Sequence, residues 1–117
     1  MTDKKKELKE KYKQTKPQMG IFIIKNKIDN KCLICPANDL NGVINSARFK
    51  LEAGLHSVRA LQKAWIECGE SNFIFEILDT LDYDIDETKT DYKNELQDLK
   101  DIWIEKLLTE QKIIFYK

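Results

Sequence analysis

Two runs of strand-forming residues, Gly20-Ile21-Phe22-Ile23-Ile24 and Cys32-Leu33-Ile34-Cys35, flank Ile28-Asp29-Asn30-Lys31. Apolar, largely β-branched segments broken by an Asp-Asn turn predict a β-hairpin over residues 20–35. Beyond the hairpin the apolar period changes from strand to helix. Leu40, Ile44, Ala47 and Leu51 recur at helical spacing behind Pro36 and Asn38-Asp39, and Gly54 stops them. Val58, Leu61, Trp65 and Cys68 make a second stripe, with Ser57 as the expected cap and Gly69 as the stop. Residues 73–81 alternate as a strand, with Phe73, Phe75 and Ile77 on one side and Ile74, Glu76 and Leu78 on the other. A long helix is predicted over about 91–108, with Leu96, Leu99, Trp103 and Leu107 on its core face. Ile113-Ile114-Phe115-Tyr116 is either an edge strand or a docked tail. Ahead of the hairpin, residues 4–14 predict a very polar helix carrying only Leu8 and Tyr12 as large apolar residues, ended by Pro17. The expected class is α/β (α+β): a three-stranded, mostly antiparallel sheet flanked by helices, with an extra amino-terminal helix. The expected division is 1–18 for the polar helix and linker and 19–117 for the domain.

At 117 residues the chain is one domain's worth, and 42% hydrophobic with 34% charged residues is globular rather than disordered. No apolar run reaches the roughly 18–20 residues of a membrane span. No apolar segment comes after Met-Thr-Asp-Lys-Lys-Lys-Glu as a secretory signal requires. Three cysteines without an export signal predict free thiols and a cytoplasmic protein.

Twenty bases balance twenty acids, but unevenly. Residues 1–16 carry +4, residues 17–78 carry +1 and residues 79–110 carry −7. The ends are therefore able to attract one another, within a chain or between two copies in a homodimer, although solvated helix faces explain both.

Cys32 and Cys35 have zinc-like C-x-x-C spacing, with Cys68 and His56 to complete a set. In a strand, however, positions 32 and 35 point to opposite faces, so buried apolar cysteines are expected and no metal site. His56, the lone histidine, fits a loop residue fixing a turn better than a general base. Asp82-x-Asp84-x-Asp86 lacks the glycine and register of a calcium loop. Arg48, Lys50, Arg59 and Lys63 fall on the two central helices, within reach of phosphates.

Taken together, the hairpin motifs resemble a known pattern. Gly20-Ile21-Phe22 and Leu33-Ile34-Cys35 are similar to worn versions of the two signature triplets of the GIY-YIG nuclease superfamily. Lys25-Asn26-Lys27, Leu51-Glu-Ala-Gly54-Leu-His56-Ser57, Leu61-Gln62-Lys63-Ala-Trp65, Gly69, Phe73–Leu78 and Trp103-Ile104-Glu105-Lys106-Leu107 continue it across about 19–108. The order resembles the nuclease domain of phage intron homing endonucleases. The lysine-rich start and Thr-Lys-Pro-Gln-Met-Gly look like a compact sub-branch grouped with bacterial transcriptional regulators of the LuxR type.

The resemblance implies that the first-triplet tyrosine is replaced here by Phe22 and the second by Leu33, with Cys35 at that triplet's glycine. The helix arginine falls at Val43, the histidine one turn later at Ala47, and the metal-holding glutamate at Lys100. It thus implies a catalytically degenerate domain with DNA-associated or regulatory use and no cofactor. Asn45, Arg48, Lys50, His56, Arg59 and Lys63 are the candidate nucleic-acid contacts. Two alternatives stand beside it: a protein-interaction module with an apolar pocket in place of the active site, and a residual endonuclease requiring Mg²⁺.

Overall fold

The computed structural model describes residues 16–86, 88–111 and 114–116. The helix expected over 4–14 lies outside the described residues. The hairpin forms as predicted. Strand β1 (Met19–Asn26) pairs antiparallel with β2 (Lys31–Ala37), bringing Phe22 opposite Cys35 and Ile24 opposite Leu33. Asn26 closes the turn: its Oδ1 accepts from the Ile28 N–H at 2.9 Å, and its carbonyl accepts from the Asn30 N–H at 3.1 Å. Asn30 takes φ 59°, the left-handed conformation that asparagine tolerates better than most residues.

Strand β3 (Phe73–Leu81) pairs antiparallel along the other edge of β1. The register slips between Ile21 and Phe22, which oppose Asp79 and Ile77 and leave Leu78 as a bulge residue. Strand β4 (Ile114–Phe115) adds to β2 in parallel, so the strand order is β3-β1-β2-β4. The three-stranded expectation is thus corrected to a four-stranded mixed sheet, mostly antiparallel. The added strand is held by a residue beyond it. The Tyr116 N–H donates to the Cys32 carbonyl at 2.8 Å, and its buried hydroxyl receives the Asn26 side-chain amide at 3.2 Å. A strand of two residues is too short to carry a periodicity of its own.

Helix α1 (Leu40–Ala53) is capped by Asp39, whose carboxylate accepts from the Gly42 N–H, and ends on Gly54 at φ 76°. Helix α2 (Arg59–Cys68) starts on Val58 with no side-chain cap, which corrects the expectation for Ser57. Helix α3 (Lys93–Gln111) is the predicted long helix, displaced slightly toward the carboxyl end. Helices α1 and α2 cover one sheet face, where Phe22, Ile24 and Phe73 pack with Leu40, Ala47, Leu51, Leu61 and Trp65. Helix α3 covers the other, where Ile21, Ile23, Cys32 and Ile34 meet Leu99, Trp103, Ile104 and Leu107.

Gly20 is fixed by proximity. A Cβ there would stand 2.1 Å from the Asp79 carbonyl oxygen, a backbone atom that cannot yield without breaking the ladder. Gly20→Ala is expected to lower unfolding free energy by about 3 kcal/mol, as forced overpacking does. Asn26→Ala strips the hydroxyl of Tyr116 and the Ile28 amide of a partner, and is expected to cost about 1–3 kcal/mol. Urea titration monitored by circular dichroism checks both.

Candidate nucleic-acid interface

The positions flagged by the resemblance converge. Phe22 on β1, Leu33 and Cys35 on β2, and Val43 and Ala47 on α1 all belong to the core beneath α1 and α2. Phe22 has no exposed surface, and Ala47 is also buried. Burial pushes the Cys35 thiol up to about 11, opposed by the positive charge of Lys100, which α3 brings close. The carboxylates beside Lys100 do not substitute for a ligand. Asp98 and Asp101 are exposed, and Asp101 accepts from the Gln97 amide at 3.0 Å. A hard divalent cation takes oxygen ligands. Hydrocarbon, a neutral thiol and an ammonium are a poor donor set for it, so the residues present do not fit the metal that the resemblance implies for active relatives.

A first cavity, about 730 Å³, runs along the α1–α2 connection and is lined by residues including Leu55, His56, Arg59, Lys63 and Ile66. Three of the sequence-predicted contacts, His56, Arg59 and Lys63, thus come together. Lys50 is not among the lining residues, although its charge acts on the His56 ring. Lys63 leans toward Glu67 at 3.9 Å, an exposed pair that contributes little. Asn45 is exposed on α1, away from this group of lining residues.

Gln62, which no sequence pattern singles out as functional, builds the connection. It is buried, donates to the Leu51 carbonyl at 2.9 Å and accepts the His56 N–H at 3.0 Å. His56 Nδ1 in turn accepts the Val58 N–H at 3.1 Å, which takes the place of the expected serine cap. A neutral imidazole accepting at Nδ1 carries its proton on Nε2, a donor suited to a phosphate oxygen. Sequence offers one signal for this, a glutamine at an inward position of an amphipathic helix.

Arg48 goes elsewhere. Its guanidinium lies 4.6 Å over the Phe75 ring, in a second cavity of about 560 Å³ shared with Trp65, Glu70, Ser71 and Phe73. The helical stripe places Trp65 in the core and nothing more. The cavity wall it helps form depends on β3 being brought against α2.

The cysteines sit as the strand alternation requires. Cys32 packs under α3, Cys35 under α1, and all three thiols are free. Cys32 is likewise pushed up to about 11 by burial, so neither thiol of the pair is a ready thiolate. The acidic stretch is a string of local turns, with Asp84 accepting from the Asp86 N–H and Asp86 from Thr88.

Burial first, and the Lys50 charge second, hold the His56 imidazole below its usual 6.5. The folded loop therefore resists protonation. Its contribution to stability is present above pH 6.5 and is lost as pH falls through the lowered folded value. The stability gap between the unaltered chain and His56→Ala is expected to narrow from pH 7 to pH 5. His56→Asn, which retains an acceptor for the Val58 N–H, is expected to be insensitive over that range. Thermal melts of the three proteins across pH check this.

No protein-family model matches the chain, and no curated protein matches it. Solved structures do. The catalytic domain of homing endonuclease I-TevI aligns with a TM-score of 0.65 at 25% identity, covering 85% of this chain and 98% of that domain. A glutamate-to-alanine mutant of the catalytic domain of intron endonuclease I-TevI aligns with a TM-score of 0.65 at 28% identity, covering 86% and 92% of the two chains. Over about 85% of its length, this chain has the GIY-YIG fold of the I-TevI catalytic domain.

Proposed function

We propose that this protein is a catalytically degenerate GIY-YIG domain that holds DNA without cutting it, in a regulatory role. The observation that carries the reading is the chemistry at the converging positions: Phe22, Leu33, Val43 and Ala47 contribute hydrocarbon to a packed core, and Lys100 contributes a cation. Phosphodiester cleavage needs a polarised nucleophile and preorganised charge at the developing oxyanion. Each such group is worth about 10²–10⁴ in rate, so the loss of five together leaves no route by that mechanism.

The distribution of charge supports retention of DNA. The sheet separates α3 from Arg48, Lys50, Arg59 and Lys63 on α1 and α2. Helix α3, which carries a net −2 over residues 93–111, is thereby kept off the face that would meet phosphates, while the remaining −5 belongs to residues 79–92. In this reading residues 19–117 are the binding domain, and the lysine-rich residues 1–18 add positive charge to it. A protein partner is the second reading, favoured by the exposure of Leu55 (70%) and Ile66 (71%) in the larger cavity.

Fluorescence anisotropy with labelled duplex DNA at two salt concentrations, without metal, tests the proposal. Binding is expected in the micromolar range typical of non-specific complexes, weakening steeply with salt. Arg59→Glu with Lys63→Glu is expected to weaken it more than tenfold, and to flatten the logarithmic salt slope by about 2. No binding at low salt sinks the DNA reading and leaves the protein partner. Nicking of supercoiled plasmid in Mg²⁺ or Mn²⁺ that co-purifies with the protein sinks the degenerate assignment.

A further inference from the structure

The second cavity is furnished in a way that phosphate binding does not use. Trp65 and Phe73 stand 5.1 Å apart between ring centroids, and Phe75 meets Trp65 edge-on at 6.2 Å. Phe75 is only half-buried, and on its open side it carries the Arg48 guanidinium. Glu70, from the short 3₁₀ turn between α2 and β3, and Ser71 complete the lining. Arg48 and Glu70 are opposite charges in one cavity, yet they do not close into an ion pair. The ion pairs among the described residues are Lys63–Glu67 and Lys89–Glu95. The cavity therefore offers an aromatic wall with a planar cation lying on it, and an acceptor and a hydroxyl that are not paired with that cation. Its volume is within the range of small-ligand sites.

Resting on the reading of this domain as a DNA binder, the geometry points to this cavity as a cradle for an unpaired nucleobase. The base stacks against Phe75 beneath or in place of the Arg48 guanidinium, while Glu70 and Ser71 meet its hydrogen-bonding edge. Aromatic and guanidinium planes are the groups on which splayed bases stack. Glu70 accepts only, so it favours an edge with adjacent N–H donors, as guanine has, over thymine with one. The helix that carries Trp65 also carries Arg59 and Lys63, which line the first cavity. A base paired within a duplex cannot enter. The site thus predicts a preference for single-stranded or branched DNA over blunt duplex.

Trp103→Phe leaves Trp65 as the sole tryptophan and reports on the cradle by fluorescence quenching. The full chain is titrated with guanosine and thymidine monophosphates, a short mixed-sequence single strand, and the blunt duplex of that strand. Anisotropy of the same DNAs with the unaltered chain runs alongside. Expected are quenching by the single strand and about tenfold tighter binding of it than of duplex. Phe75→Ala and the milder Arg48→Met, each checked for folding by circular dichroism, are expected to abolish that preference. Glu70→Gln is expected to level guanine with thymine. Salt-sensitive duplex binding with no single-strand preference and no quenching overturns the cradle, while leaving DNA binding in place. If neither DNA binds, the DNA reading fails. Quenching by guanosine monophosphate would then still support a base site, now for a free nucleotide, and its absence would overturn the cradle as well.

Discussion

Strand β1 has no solvated face and no free edge. Ile21 and Ile23 are covered by α3, Phe22 and Ile24 by α1 and α2, and both neighbours in the sheet, β2 and β3, pair with it along its length. A strand so placed is apolar from Met19 to Ile24, with polar Lys25 and Asn26 only at its end, and it is approached so closely that Gly20 has no room for a side chain. The two helical layers are separate because β1 offers a face to each. Asn26, at the end of the same strand, joins the hairpin turn to the last residue of the described core through Tyr116. That single buried amide couples one end of the domain to the other.

The separation of layers has an electrostatic consequence. A chain of zero net charge is a weak candidate for a polyanion, because attraction and repulsion cancel at long range. Folding offsets the cancellation in part by placing α3, at a net −2, behind the sheet and the bases of α1 and α2 in front of it. The same front face contains the apolar cluster where the GIY-YIG resemblance locates a reaction centre. Phe22 there is fully buried, and half-buried Leu33 and Val43 pack against the same cluster. Apolar burial there adds to stability.

The order of elements, the hairpin, the inward stripes of all three helices and the opposed cysteines are legible in the residues, because each arises from a local period of 2 or 3.6. The start of α2 is not. Serine is the usual cap, but here His56 two residues before Val58 satisfies its amide, with Gln62 reaching back from one turn inside the helix. The fourth strand stays open between two possibilities in the sequence, since its pairing depends on Cys32, more than eighty positions away. In the site, the grouping of His56, Arg59 and Lys63 is foreseeable from neighbouring positions. The diversion of Arg48 onto Phe75 is not, because it needs α1 and β3 to be adjacent.

Sequence by itself determined which segments become strands and helices, where they turn, and which side of each is apolar, since these are set by interactions a few residues long. It also determined the chemistry present at the positions matching the nuclease triplets. Only the tertiary structure decided that those positions pack against one core cluster, that α3 lies behind the sheet, and that Trp65, Phe73 and Phe75 meet Arg48 and Glu70 around one cavity. Such contacts join residues far apart in the chain, and no local period encodes which distant surface a side chain will face.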